Sequence, residues 1–223
     1  MNIDTIVGSQ TLSTGSTINK LRQDRSGALA VSQAHGRFQE IVQTGNVYSG
    51  GGSLIALSAN TISLTATTTP IIGVWNTPTS GVNLVILQAS LQLMSNNLTS
   101  GAGPGAFVWA YSVGNNSIST GSAPFDRKTM NASGSQAKYF AGNVALTGLT
   151  NSLVIFEGAD FPSPSGMTYT TIASTALMPG YQATQNFDGS IFVPPGGVLA
   201  LLNTTSCTTF SATSRILWEE CPV

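Results

Sequence analysis

The chain holds one histidine, His35, in the stretch "QAHGRFQE" with Arg37 and Glu40 close by. An imidazole beside an acid has the make-up of a general base with an orienting partner; Cys207, Cys221 or a serine would be the nucleophile it activates. His35 precedes the glycines of "YSGGGS" (48–53), which read as a loose joint and make a poor frame for holding two side chains in hydrogen-bonding reach. The imidazole is therefore expected to grip backbone rather than to catalyse. Carboxylate pairs are the other source of chemistry, since two of them can hydrolyse a glycoside. Glu219 and Glu220 are adjacent, and adjacent side chains of a strand leave by opposite faces. Glu157 and Asp160 in "FEGADF" do the same unless the strand ends between them, and a charged strand end is the expected role.

Metal binding needs converging ligands, and one histidine with two cysteines shows no ligand spacing. The acids are isolated and follow no calcium-loop pattern. There is no Gly-x-Ser-x-Gly elbow, no Gly-Lys-Ser/Thr phosphate loop and no His-Glu-x-x-His; "GAGPG" (101–105) lacks the dinucleotide spacing and contains Pro104. The expectation is a non-enzyme without catalytic residues, cofactor or metal. Trp75, Trp109, Tyr111 and Trp218 could form a sugar platform, but large rings on apolar strands are expected in the core.

The scaffold for these residues is unusual in its charge. Of 223 residues, 41% are apolar but only 8% are charged, with a net charge of −1. Positions 41 to 125 carry no formal charge at all. A disordered chain needs charge and low hydrophobicity, so this one is read as folded. Ser, Thr, Asn, Gln and Gly must cover the parts that face water, and sister copies are expected to cover the rest. Without a cluster of Lys and Arg, nucleic acid is not an expected partner. The apolar runs are too short to span a bilayer, and the first residues, "MNIDTIVGSQTLSTGS", lack the features of a secretory leader. The two cysteines are expected as reduced thiols.

Residues 1–50 are more charged than the rest of the chain and read as an arm, with short strands at "GALAV" (27–31) and "FQEIV" (38–42) able to extend a neighbour's sheet. Residues 51–223 read as a body of successive strands. "NLVILQASLQLM" (83–94) alternates cleanly, with Val85, Leu87, Ala89, Leu91 and Leu93 on one face and Gln88, Ser90 and Gln92 on the other. Further strands are expected at "SLIALSA" (53–59), "TISLTAT" (61–67), "IIGVWN" (71–76), "FVWAYSV" (107–113), "KYFAGNVAL" (138–146) and "NSLVIFEGA" (151–159). In the C-terminal part they are expected at "TYTTIAST" (168–175), "GSIFV" (189–193), "GVLALLN" (197–203) and "RILWEEC" (215–221). In "FVPPGGVLA", Pro195 can preset and Gly196 complete a type II turn. Strands at this spacing with no helical periodicity between them predict an all-β, antiparallel jelly-roll or β-sandwich with an extended N-terminal arm.

The stretch "RSGALAVSQAHGRFQEIVQTGNVYSG" (25–50) resembles a run near the start of certain tailed-bacteriophage virion proteins. Their Gly-Ala-Leu-x-Val stretch, Ala-His-Gly-aromatic step and Gly-Asn-Val-aromatic close correspond to Gly27–Val31, Ala34–Phe38 and Gly45–Tyr48. "FDGSIFVPPGGVLALLN" and "RILWEEC" look like the same group, while the middle of the chain is patchy. The resemblance implies a non-enzymatic, trimeric cement or decoration protein on the outside of the head, made in the host cytoplasm and bound to the major capsid protein. It implies docking by the arm, through Arg25, Leu29, Val31, His35, Arg37, Phe38, Val47 and Tyr48. The alternative is a tail adaptor or receptor-binding virion protein that recognises host glycans through loops at 95–106 or 114–137.

Overall fold

The computed structural model describes residues 38–54, 70–95, 106–118, 120–131, 134–141, 146–161, 181–204 and 210–223. The chain divides into two compact units, Met1–Glu40 and Ile41–Val223. Almost everything described belongs to the second. A short helix, α1 (Gln39–Thr44), leads into β1 (Val47–Leu54), β2 (Ile72–Asn76), β3 (Val82–Ser95) and β4 (Phe107–Ser112). Then come β5 (Phe125–Asp126), β6 (Ala137–Ala141), β7 (Val154–Gly158), β8 (Tyr181–Val193), β9 (Val198–Asn203) and β10 (Phe210–Pro222).

The pairing is nested. β1 pairs with β10, β2 with β9, β3 with β8 and β4 with β7, all antiparallel, so the first half of the chain runs back along the second as one ribbon. Rolling the ribbon lets β10 also pair with β3, and β9 with β4. The result is two sheets containing the orders β1-β10-β3-β8 and β2-β9-β4-β7, the wiring of a jelly roll. β5 and β6, from the long excursion between β4 and β7, add a fifth strand to each sheet beside β1 and β2. The chain thus adopts the all-β sandwich that its strand spacing predicts.

Two apolar layers hold it. Leu84, Ile86, Trp109, Phe187, Leu199, Leu201 and Trp218 belong to the layer between the sheets. Trp75, Ala110, Phe140, Val198, Ala200 and Leu202 face the other way, under Ile118, Leu146 and Leu153 of the excursion. Every residue of β9 is buried, which explains why "VLALLN" reads as a continuous apolar run instead of alternating.

Three expectations are corrected. "FQEIV" reads as a strand, but most of it lies in α1, which Gly45 closes at φ +85° with its N–H donating to the Val42 carbonyl. "YSGGGS" is no joint: Gly50, Gly51 and Gly52 lie in β1, opposite Ile216, Arg215 and Ser214 of β10. A Cβ on Gly50 would strike Tyr139, and one on Gly52 would approach Ala141 Cβ to 2.7 Å, so these glycines let β6 pass close to the sheet. β1 therefore carries the body past the boundary expected at residue 50. In β3 the alternation switches phase. Leu217 of β10 opposes Gln88 while Trp218 opposes Ile86, leaving Leu87 as the extra residue of a bulge. Beyond it Ile86 and Leu84, not Leu87 and Val85, enter the layer between the sheets.

The turn after β8 has the expected form. Gly197 N–H donates to the Pro194 carbonyl at 2.8 Å, and Gly196 sits at φ +80°. The strands expected at 27–31, 61–67 and 168–175, and the part of 53–59 beyond Leu54, lie outside the described residues.

Candidate interaction surface

In each sheet the fifth strand is on the same side, so the sandwich has two unlike flanks. One is edged by β5 and β6. The other is edged by β7 and β8, and among the described residues no strand pairs beyond them.

Both strands of the second flank are bulged. On β7, Glu157 opposes Trp109 and Ile155 opposes Ala110, which leaves Phe156 as the extra residue. On β8, the residues from Phe187 to Ser190 stand against Leu87 alone, and Asp188 and Gly189 take φ of 53° and 81°. Asp-Gly in this left-handed pair of conformations is the chemistry of a type I′ turn, here inserted into a strand. Bulges re-aim side chains and keep an edge from simple strand addition. Phe156 meets Tyr111 edge-on, ring centroids 5.7 Å apart. Together with Val113, Phe192, Pro194 and Leu199 they line a groove of about 260 Å³ that contains no charged side chain. Phe192 on its rim is 60% exposed. Aromatic rings left in water at this density mark a contact surface.

An acidic pair borders this flank. β7 ends at Gly158, so Glu157 and Asp160 are not forced to opposite faces. The buried Gln185 amide ties them in. Its Oε1 accepts from Trp109 Nε1 at 2.8 Å and from the Asp160 backbone N–H at 3.3 Å, and its Nε2 donates to Glu157 Oε1 at 3.5 Å. Burial, and then the charge of Asp160, push the Glu157 carboxyl above its ordinary value.

The opposite flank presents a firm, cationic loop. The Asp126 carboxylate accepts from the Lys128 N–H at 2.7 Å and the Thr129 hydroxyl at 3.2 Å; Met130 N–H donates to the Asp126 carbonyl at 2.8 Å. Arg127 N–H donates to the Val47 carbonyl at 2.9 Å, anchoring the loop to β1. Phe125 and Met130 are left exposed, Met130 at 62%, beside Arg127 and Lys128, with Lys138 on β6.

The outer face of β10, β3 and β8 shows how polar groups replace charge at the surface. Arg215 Nη2 donates to Gln88 Oε1 at 2.7 Å, Gln88 Nε2 to Asn186 Oδ1 at 2.9 Å, and Thr213 Oγ1 to Gln92 Oε1 at 3.4 Å. A polar groove of about 150 Å³ opens there among Ser90, Gln92, Gln182, Thr213 and Arg215.

Of the residues expected to dock the arm, Arg25, Leu29, Val31, His35 and Arg37 lie outside the described residues. Phe38 is half-buried in the turn before α1. Val47 is buried in β1 opposite Glu219, and Tyr48 packs its ring 6.4 Å from that of Trp218. Burial, then Glu220 and Asp126, raise the Tyr48 hydroxyl above its ordinary pKa. Both side chains thus serve the body's own sheet. Trp75, Trp109 and Trp218 are buried, as their apolar strands imply; only Tyr111 of the four aromatic candidates faces out. Glu220 accepts from the Ser135 hydroxyl. Cys221 is a free thiol pushed up in pKa by burial and then by Glu219, while Cys207 lies outside the described residues. Among the described residues, no group of three or more His, Cys, Asp or Glu could hold a metal, and no helix is long and apolar enough to cross a membrane.

Phe156 and Phe192 were not legible as a site, because their exposure depends on bulges that only the partner strands define. No protein-family model matches the chain, and no curated protein matches it.

Proposed function

We propose that this chain is a non-enzymatic structural protein of a tailed-phage virion, a cement or decoration protein that binds the outside of the head, self-associates as a trimer and strengthens contacts between capsomers. The observation that carries this reading is the body itself: a jelly-roll sandwich poor in charged residues, with an aromatic groove open on one flank. The resemblance of residues 25–50 and of the C-terminal strands to virion proteins supports it. In this role the arm reaches a neighbouring subunit or the major capsid protein, where backbone pairing and apolar anchors give affinity. Several arms on one assembly then multiply a weak contact into a strong one.

Co-sedimentation with heads stripped of this protein tests the reading. The full chain binds; a chain starting at Ile41 keeps the sandwich and loses binding. A truncated chain that binds as well as the full one moves the contact to the body, and a full chain that does not bind removes the cement role.

A second reading, a tail adaptor or receptor-binding protein, is favoured by the polar groove around Gln92, Gln182 and Arg215, whose amides and guanidinium suit sugar hydroxyls. Retention of the full chain on host surface polysaccharide, lost in Arg215→Ala, would favour it over the first.

A further inference from the structure

We propose that copies of this chain associate head to tail, the β5/β6 flank of one docking on the aromatic groove of the β7/β8 flank of the next. This deepens the self-association in the proposed function and names its surfaces. Position comes first. The two flanks are the opposite edges of both sheets, so a contact between them joins unlike patches and is heterologous. A heterologous contact closes into a ring when its rotation permits, and a ring of three is one such closure.

Shape agrees. The loop at residues 125–131 is held by Asp126 and by the Val47 carbonyl, and it puts Met130 and Phe125 outward. The groove between Tyr111, Phe156 and Phe192 is apolar and about 260 Å³, room for a methionine or phenyl side chain. Methionine is well suited to such a role, since its unbranched thioether adapts to an irregular apolar wall.

Charge selects the pairing. Arg127, Lys128 and Lys138 stand on the β5/β6 flank and outnumber Asp126 of the same loop. Arg127 Nη1 lies 4.0 Å from Met130 Sδ, so a cation flanks the side chain offered to the groove. Among the described residues the other cation, Arg215, is engaged with Gln88 on the sheet face. Glu157 and Asp160 border the β7/β8 flank. An apolar centre with a rim of opposite charges is the usual anatomy of a specific interface, and the rim fixes which edge meets which. A second copy fits both halves at once: it brings the exposed sulfur and ring for the groove and the cations for the acids.

Sedimentation velocity and native mass spectrometry of the full chain test this. One variant carries Arg127→Glu and Lys128→Glu, another carries Phe192→Asp; circular dichroism and thermal melting check that both fold. Met130→Ser and Phe192→Ser serve as milder alternatives if either fails to fold. The wild type forms closed oligomers, and each variant alone is monomeric. An equimolar mixture gives a heterodimer and nothing larger, because a mixed pair retains one intact interface. Added salt weakens the wild-type oligomer. The proposal is overturned by a monomeric wild type, by variants that associate as the wild type does, or by a mixture that stays monomeric. Head binding by a monomeric wild type leaves the cement role standing without this interface. Oligomers that behave as described but bind no heads leave the interface standing without the cement role.

Discussion

Gln185 shows how one residue can join the core to the surface. It is buried, it satisfies the indole of Trp109, and its other end holds the Glu157 carboxylate. Gln185→Leu leaves the buried Trp109 N–H without an acceptor, a loss of about 1–3 kcal/mol in denaturant unfolding. Glu157 works in the opposite sense. Its carboxyl is raised above the ordinary value by burial and then by Asp160. The protonated form is therefore the one the fold prefers; stability is fully present below the ordinary glutamate pKa and is lost as pH rises through the raised value. Glu157→Gln removes that loss. Its melting temperature should exceed the wild type's at pH 7 by about 1–3 °C and match it near pH 3. The proximity of the two acids was half-legible, since it needed only the strand to end between them. The role of Gln185 was not, because a glutamine in a polar strand looks the same whether it faces water or an indole.

At the scale of elements, composition was a better guide to the interior than to the edges. The apolar runs at 71–76, 107–113 and 197–203 lie where strands form; β2 and β9, buried throughout, need no alternation. The three glycines at 50–52 misled for a physical reason. Glycine serves a hinge and a close backbone approach equally, and only the partner distinguishes them. Gly52→Val should drive its side chain into Ala141 and cost about 1–3 kcal/mol in equilibrium unfolding. Gly196→Ala meets two obstacles, a φ of +80° and the Gly114 carbonyl lying where the Cβ would go. A loss of about 2 kcal/mol or more is expected there, read as a lower denaturation midpoint. The bulges at Leu87 and Phe156 had no signal of their own, since a bulge is a relation between two strands. The turn inside β8 did have one in "DGS", whose Asp-Gly pair tolerates left-handed backbone.

For the whole molecule, the nested wiring makes the two ends of the body partners: β1 pairs with β10 along its full length. A chain starting at Ile41 should melt cooperatively, as the full chain does, by circular dichroism. One starting at Leu54 loses β1, uncovers the β10 edge and should melt earlier or aggregate. The low charge of the sequence finds its counterpart in the amide and hydroxyl ladder on the outer face of β10, β3 and β8. Arg127, Lys128 and Lys138 lie toward one flank, with Asp126 and Glu220 near them, and Glu157 and Asp160 lie toward the other, a placement that a linear sequence does not display. Cryo-electron microscopy of the virion to which we propose that this chain belongs is the most direct measurement. The expected map has jelly-roll bodies on the outer surface of the head, grouped in rings with the β5/β6 flank of each body against the β7/β8 flank of the next. Density for the chain confined to the tail, or bodies standing singly on the head, would contradict the account.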